Sequence, residues 1–248
     1  QYGTDINNKD SDGDGINEIV STGYELYAFE LDGTPVFKDI NPEKPGLVSV
    51  LPGWSNLALG NIDDDPEKEI VVKTDEKVLI FDYNDGELLN DCSILPDEGY
   101  AFCSKPVIAD FNNDGKGEIA VAETNGLTGM VLIFDKTGKI LADFSDSFNN
   151  VNNLSAGDIN GDGRPELIID TEYVTDTIEE MSISAYSLSE KLWTTNKTLN
   201  GVSGLALGDV DNDGDIDIVT CGLIDGKTGK FTDKFSFQDT GALPYEIM

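Results

Sequence analysis

The feature that most constrains this sequence is a nine-residue acidic motif that occurs five times. Its clearest copy has acids at positions one, three, five and nine and a glycine at position six: Asp209, Asp211, Asp213, Asp217 and Gly214. Four side chains with oxygen donors on a tight loop suit a hard cation of the size of calcium. The apolar residues that follow the motif predict a β-strand that leaves the loop.

The other four copies keep the same spacing of oxygen-bearing side chains. They are Asp10, Asp12, Asp14 and Glu18; Asn61, Asp63, Asp65 and Glu69; Asp110, Asn112, Asp114 and Glu118; and Asp158, Asn160, Asp162 and Glu166. We number them in chain order as loop 1 (10–18), loop 2 (61–69), loop 3 (110–118), loop 4 (158–166) and loop 5 (209–217). Successive loops begin 51, 49, 48 and 51 residues apart. A period close to fifty indicates a repeat architecture.

An EF-hand shares the opening spacing but needs a bidentate Glu at position twelve. Position twelve is occupied here by Ser21, Val72, Val121, Ile169 and Thr220. The last acid comes instead at position nine, and an apolar strand follows it directly. Each loop is therefore predicted to connect two strands rather than two helices.

The loops and their period resemble the FG-GAP/VCBS-type repeat of integrin-α-like β-propellers, over nearly the whole chain. The resemblance implies an all-β fold, a single β-propeller of about five four-stranded blades with a calcium loop between the first two strands of each blade. It places the blades at roughly residues 1–50, 51–99, 100–148, 149–199 and 200–248. It also implies up to five Ca²⁺ ions, bound by the twenty loop residues named above, with a structural role.

The apolar pattern of the repeats agrees with four strands in each. The second repeat is the cleanest, with predicted strands at 57–60, 69–73, 78–82 and 87–89, and no repeat shows a helical period. Four strands per repeat are typical of a propeller blade. A solenoid of short sheets is the alternative.

The two ends of the chain differ from the other repeats. Residues 1–9 are polar and lack the apolar strand that precedes the later loops, whereas surplus sequence follows the last loop. We expect residues 242–248 to supply the missing strand and to close the ring, because closure removes exposed sheet edges. The alternatives are an arc of a larger ring, or a strand from a neighbouring molecule.

Loop 2 departs from the pattern in two places. Asn61 replaces the first acid, and Pro66 stands where the other loops have glycine. Proline fixes φ near −65° and cannot adopt the positive φ of a sharp turn. We therefore predict that loop 2 is the weakest of the five sites.

Composition narrows the class of function. The net charge of −32 argues against nucleic acid or an anionic membrane as a partner. The absence of histidine excludes Ser-His and Cys-His nucleophiles and histidine-ligated zinc. There is no apolar run of about eighteen residues, so no membrane span is predicted. Chemistry based on carboxylates, as in glycosidases and lyases, stays open.

The cysteines give an indication of the cellular or extracellular compartment of the chain. Cys92 and Cys103 flank one inter-repeat segment, and we expect them to form a disulfide in an oxidising environment. Two unpaired thiols are the alternative, and Cys221 is expected to be buried. No signal peptide is visible, so we expect an export signal to have been removed or left out. These features favour a secreted or cell-surface location.

The expected function is that of an extracellular, calcium-stabilised binding, adhesion or assembly module without catalysis of its own. The expected partner is an extracellular protein, a glycan or further copies of the chain. The alternatives are a polysaccharide-acting enzyme similar to lyase propellers, and a structural subunit of an extracellular filament. The rim opposite the calcium loops carries Trp54, Tyr100 and Phe102, which we interpret as partner-binding rings. Alternatively, Trp54 and Phe102 pack between blades.

Overall fold

The computed structural model describes residues 5–9, 15–22, 25–36, 47–50, 55–74, 76–84, 87–145, 150–174, 179–195, 204–220 and 222–236. These residues form 21 β-strands and no α-helix, which confirms the predicted all-β class. In the same ranges, no helix is long and apolar enough to cross a membrane.

The strands group into five antiparallel sheets, each made of strands that follow one another in the chain. Sheet 1 contains β1 (Asp5–Lys9), β2 (Glu18–Thr22), β3 (Glu25–Glu30) and β4 (Leu47–Val50). Sheet 2 contains β5 (Ser55–Gly60), β6 (Glu69–Thr74), β7 (Val78–Asn84) and β8 (Glu87–Ile94). Sheet 3 contains β9 (Ala101–Phe102), β10 (Val107–Ala109), β11 (Glu118–Thr124), β12 (Gly129–Phe134) and β13 (Ile140–Ser145).

Sheets 4 and 5 repeat the same meander. Sheet 4 contains β14 (Asn150–Gly157), β15 (Glu166–Val174), β16 (Glu179–Tyr186) and β17 (Lys191–Thr194). Sheet 5 contains β18 (Ala206–Gly208), β19 (Asp217–Val219), β20 (Gly222–Asp225) and β21 (Phe231–Ser236). The short strand β9 was not predicted; it pairs antiparallel with the far end of β11.

The first sheet corrects the expectation that the first repeat lacks its first strand. Residues 5–9 form β1, which pairs with β2 in the register Asp5↔Thr22 to Lys9↔Glu18. Backbone groups make this ladder, so polar side chains do not prevent it. The segment 242–248, which was expected to fill this place, lies outside the described residues.

The second strands of sheets 2 and 3 are deeply buried. In β6 and in the first six residues of β11, every residue is buried. Such strands are covered on both faces, which explains their continuous apolar runs, Ile70 to Val72 in β6 and Ile119 to Ala122 in β11. The residues that cover them come from the neighbouring sheets.

The core is divided among the junctions between consecutive sheets. One apolar cluster joins sheets 1 and 2, another joins sheets 2 and 3, a third joins sheets 3 and 4, and a fourth joins sheets 4 and 5. The short strand β9 lies outside the four-strand meander of sheet 3, so we count β10 as the first strand of that sheet. The first strands β1, β5, β10, β14 and β18 contact one another in chain order. Each sheet therefore packs face to face on the next, with its first strand on a common inner side.

Candidate metal centres

All five acidic loops connect the first strand of a sheet to its second. The ninth residue of each loop begins the second strand and pairs with the residue immediately before the loop. These pairs are Lys9↔Glu18, Gly60↔Glu69, Ala109↔Glu118, Gly157↔Glu166 and Gly208↔Asp217. The loops are thus closed hairpin connections, as the spacing predicted, and they lie at the same end of every sheet.

Loops 3, 4 and 5 share an unusual backbone. Residues at positions four and six have positive φ: Asn113 (62°) and Gly115 (95°), Gly161 (78°) and Gly163 (88°), and Asn212 (60°) and Gly214 (93°). Glycine and asparagine are the residues that adopt this left-handed conformation most readily. The two left-handed residues fold each loop back on its own first side chain.

The first aspartate of these three loops lies at the centre of the turn. In loop 3 the two oxygens of Asp110 accept hydrogen bonds of 2.9 Å from the backbone N–H groups of Asp114 and Gly115. Asp209 accepts the corresponding bonds from Asp213 and Gly214, each 3.1 Å long. Asp158 in loop 4 accepts them as well. The loop is therefore closed around a carboxylate, by bonds from the backbone.

The acid at position nine is buried in loops 2 to 5 and accepts one backbone hydrogen bond from position two. The donors are Ile62 to Glu69, Phe111 to Glu118, Ile159 to Glu166 and Val210 to Asp217, at 2.6 to 3.1 Å. Burial raises the pKa of Glu69 and of Glu166 to about 7. Burial also raises the pKa of Glu118 and Asp217. A cation beside such groups would favour their ionised form.

Three groups of carboxylates come close enough to share one ion. Their oxygens lie within 4.8 Å of one another in the sets Asp110, Asp114 and Glu118; Asp209, Asp211 and Asp217; and Asp63, Glu69 and Asp82. The first two sets contain only predicted ligands. The carboxylates of loop 4 do not form such a set, although its backbone has the same turn.

The asparagines at position three test whether loops 3 and 4 fit a cation. The Asn112 amide nitrogen donates to Asp114 Oδ2 (3.0 Å) and to Glu118 Oε1 (2.5 Å), while its buried Oδ1 has no hydrogen-bond partner. Asn160 donates to Asp162 and Glu166 in the same way. In each loop the carboxylates thus converge on the NH2 group of the asparagine amide. A half-turn of the Asn112 amide would direct its oxygen to that point, where a calcium ion would require it. The Asn160 oxygen already accepts the backbone N–H of Asp162 at 2.8 Å.

Loop 2 has a different geometry. Neither Asp64 at position four nor Pro66 at position six has positive φ. The Asn61 amide nitrogen donates within the loop to the carbonyl oxygen of Asp65. Two lysines of sheet 3 also reach it: Lys136 Nζ lies 2.8 Å from Asp63 Oδ2, and Lys116 Nζ lies 2.8 Å from Asp64 Oδ2.

The lysine contact changes the ionisation of the loop. Burial opposes the charge of Asp63, but the hydrogen bond from Lys136 keeps the pKa of that carboxyl below its ordinary value. Neither lysine was singled out by the sequence, and neither was Asp82. Asp82 lies on the third strand of sheet 2, outside the nine-residue motif. Packing between sheets 2 and 3 brings the two lysines to the loop, and strand pairing within sheet 2 brings Asp82 to it.

The remaining ligand predictions concern loop 1. Asp10, Asp12 and Asp14 lie outside the described residues. Glu18 is fully buried at the start of β2, and Gly15 has a φ of 89° at position six. These two features match loops 3 and 5.

The opposite end of the second strands holds further buried ionisable groups. Lys73, Glu123 and Asp170 are 4%, 0% and 0% exposed. Glu123 Oε2 accepts a hydrogen bond from the backbone N–H of Asp97, and Asp170 accepts one from Asn153. Burial raises the pKa of Asp170 to about 6. Sequence reasoning missed this set because no motif marks it.

The three aromatic side chains that were predicted to bind a partner differ in their surroundings. Phe102 is 2% exposed and packs in the cluster between sheets 2 and 3, so its ring is not on the surface. This corrects its assignment as a binding residue. Tyr100 lies near the surface, where its hydroxyl is 2.8 Å from Thr128 Oγ1. Trp54 lies outside the described residues.

The predicted disulfide is also corrected. Cys103 is a free thiol, so the structure contains no Cys92–Cys103 bridge. The thiol packs against the apolar cluster between sheets 3 and 4, and the Cys103 backbone N–H donates to Ala122. Burial raises the pKa of the thiol, which keeps it protonated and unreactive. Cys221 lies outside the described residues.

Comparison with known proteins agrees with this geometry. Residues 110–169, which include loops 3 and 4, match the family model for the FG-GAP-like repeat. This confirms the predicted repeat family. No curated protein matches the chain.

A solved structure similar to the chain is the crystal structure of BBS1N in complex with ARL6DN, soaked with lead. The TM-score is 0.50 at 11% sequence identity, over 92% of this chain and 80% of that chain. At this identity the likeness concerns the fold alone. With the five meandering sheets, it supports a β-propeller-like architecture.

Proposed function

Because this chain carries an FG-GAP-like repeat, we propose that it is an extracellular, calcium-stabilised binding module. Its five sheets are the blades of one closed propeller that spans residues 1–248. It acts by presenting a surface to a partner, and it has no catalysis of its own. The partner is an extracellular protein, a glycan or another copy of the chain.

The observation that carries this proposal is the arrangement of loops 3 and 5. In each, three carboxylates lie within 4.8 Å of one another on a loop with two left-handed residues. Calcium binds six to eight oxygens in flexible geometry, and such a loop supplies most of them. Loop 4 supports the proposal by its backbone, which has the same two left-handed residues. Loop 1 supports it by its sequence, which has acids at the same four positions.

Calcium in these loops would act on stability rather than as a signal. Each loop ties the first strand of a sheet to its second, and the acids at position nine are buried beneath the loop. Without a cation, the grouped carboxylates repel one another. At about 1 mM calcium and a dissociation constant near 0.1 mM, each ion adds roughly 1.4 kcal/mol. Several ions together rival the net stability of a domain.

The rim opposite the loops is the proposed docking surface. Leu95 and Leu127 there are 71% and 79% exposed, and Tyr100 lies in the same segment as Leu95. The bond from Tyr100 to Thr128 joins that segment to the turn that carries Leu127. Exposed apolar side chains on connections held by a rigid sheet are suited to binding a partner.

Calcium removal tests the stabilising part of the proposal. The purified chain is melted in 1 mM CaCl₂, in 1 mM MgCl₂ and in EGTA at low ionic strength. The midpoint should be highest in calcium and lowest in EGTA. An unchanged midpoint in EGTA would reject a calcium-stabilised module. A glycan and surface-protein binding screen in calcium then tests the choice of partner.

A further inference from the structure

Loop 2 does not fit the cation that loops 3 and 5 fit. It has no left-handed residue, and its first position is an amide whose nitrogen is used inside the loop. Asp63 Oδ1 accepts a hydrogen bond from the backbone N–H of Asp65, and Asp65 Oδ1 accepts one from the backbone N–H of Glu67. The loop is therefore held by local bonds rather than wrapped around its first side chain.

The nearby carboxylates still need a positive partner. Asp63, Glu69 and Asp82 have oxygens within 4.8 Å of one another. Asp63 is only 11% exposed, and one oxygen of Glu69 is buried without a hydrogen-bond partner. Grouped and partly desolvated carboxylates of this kind are costly unless a cation neutralises them.

Sheet 3 supplies such a cation. Lys136 lies in the turn between β12 and β13, and its ammonium donates to Asp63 Oδ2 at 2.8 Å. Lys116 of loop 3 donates to Asp64 Oδ2 at the same distance. Both lysines line the cleft between loops 2 and 3, which has a volume of about 630 Å³.

Loops 3 and 4 have no comparable contact. In the described part of the chain, no lysine or arginine forms a salt bridge with Asp110, Asp114, Asp158 or Asp162. The turn of sheet 5 that resembles the Lys136 turn has one extra residue, Gly226. Its lysine, Lys227, pairs with Asp215 of its own sheet instead. Among loops 2 to 5, which the structure describes in full, only loop 2 is therefore joined to the next sheet by lysines.

We propose that the ammonium of Lys136 is the resident cation of loop 2. It takes the charge-neutralising place that calcium takes in loops 3 and 5, so sheets 2 and 3 are joined there without a metal. The comparison with loops 3 and 5 rests on the proposed function. The lysine bridge itself does not.

Calcium stoichiometry gives the first test. Equilibrium dialysis against calcium compares the wild-type chain with Asp63→Asn and Asp213→Asn. Asp63→Asn should leave the number of bound ions unchanged, whereas Asp213→Asn should lower it by one. Loss of one ion from Asp63→Asn would overturn the proposal.

Thermal melting gives the second test, and it is valid whether or not the other loops bind calcium. Lys136→Met should lower the midpoint by about 2–4 °C, both in calcium and in EGTA. Lys139→Met is the matched control, because Lys139 is exposed in the same turn and forms no salt bridge among the described residues. Equal midpoints for the two variants would overturn the proposal.

A double variant covers the case in which Lys136→Met folds poorly. Asp63→Asn with Lys136→Met removes both charges of the bridge, so the Asp63 carboxylate is not left without its lysine. This double variant should recover most of the loss in midpoint. If it melts no higher than Lys136→Met, the two side chains are not coupled and the proposal fails. If neither the wild type nor any variant binds calcium, the proposed function fails. The melting comparison then tests the role of Lys136 by itself.

Discussion

The backbone N–H of Gly117 donates a hydrogen bond of 3.0 Å to the carbonyl oxygen of Asn61. This bond joins loop 3 directly to loop 2, across the junction between two sheets. It is possible because Gly117 has no side chain. A Cβ at this position would lie 2.5 Å from Ile108 Cγ2 and 3.1 Å from the Asn61 oxygen.

We therefore expect Gly117→Ala to lower the free energy of unfolding by about 1–3 kcal/mol, the usual cost of overpacking. The Asn61 oxygen belongs to the backbone and cannot move aside without disturbing loop 2. Urea unfolding in EGTA measures the effect without a contribution from calcium. Gly208→Ala is the control, because a Cβ there would meet nothing within 4 Å. Equal losses in the two variants would contradict the steric argument.

A substitution in loop 5 tests its role as a cation site. Asp213 stands at position five, and its Oδ1 accepts the backbone N–H of Asp215 at 3.0 Å. Asparagine keeps that acceptor but removes the charge, so Asp213→Asn should lower the melting midpoint in calcium and leave it nearly unchanged in EGTA. The expected loss in calcium is roughly the 1.4 kcal/mol of one ion.

The control for loop 5 is Asp215→Asn. Asp215 lies in the same loop but pairs with Lys227, outside the four predicted ligands. Its replacement removes one negative charge without removing a ligand. If both variants melt alike in calcium, the effect is one of net charge and loop 5 is not a specific site.

The local parts of the fold were predictable from sequence. Glu118 was expected to end a loop and begin a strand, and it does so with the predicted hairpin partner in sheet 3. Two patterns predict this boundary, the spacing of the acids in the loop and the apolar pattern of the strand. Each extends over only a few residues, so no knowledge of the packing is needed. The left-handed conformation of Gly115 has a local cause as well, because glycine lacks a Cβ and adopts positive φ without steric cost.

The parts that depend on packing between sheets were not predictable. Asp63 and Lys136 are 73 residues apart in sequence. Phe102 and Cys103 lie in a segment that looks like a surface loop, yet β9 pairs with β11 and carries the Phe102 ring into the core. The side on which a ring or a thiol points depends on the register of β9, which no local pattern sets. Strand β1 was missed because its sequence is polar, whereas a ladder requires only backbone hydrogen bonds.

The rim opposite the loops gives a prediction about binding. Leu127→Ser and Leu95→Ser should weaken binding to a partner found in the screen, since both side chains are exposed. Exposed substitutions of this kind usually change stability by less than about 0.5 kcal/mol. Melting of each variant checks the fold, and titration with the partner measures affinity. Normal binding by the double variant would exclude this rim as the docking surface.

The last prediction concerns Asp170, a fully buried carboxyl in β15. One of its oxygens accepts a hydrogen bond of 3.0 Å from Asn153 Nδ2, and the other is buried without a partner. Burial raises its pKa from 3.8 to about 6, and the nearby charge of Glu172 adds to the rise. The folded chain therefore binds this proton more tightly than the unfolded chain. Between about pH 4 and pH 6 the contribution of Asp170 to stability falls as the pH rises, and above that window the loss is complete.

Asp170→Asn should remove this loss, because the amide is neutral at every pH and still accepts from Asn153. We expect the variant to be more stable than the wild type by on the order of 1–2 kcal/mol at pH 7, and equally stable near pH 4. Urea unfolding in EGTA at pH 4, 5, 6 and 7 measures the difference. Asp143→Asn, at an exposed position of β13, is the control for the loss of one negative charge. A constant difference between Asp170→Asn and wild type from pH 4 to pH 7 would show that Asp170 is not protonated in the folded chain in this range.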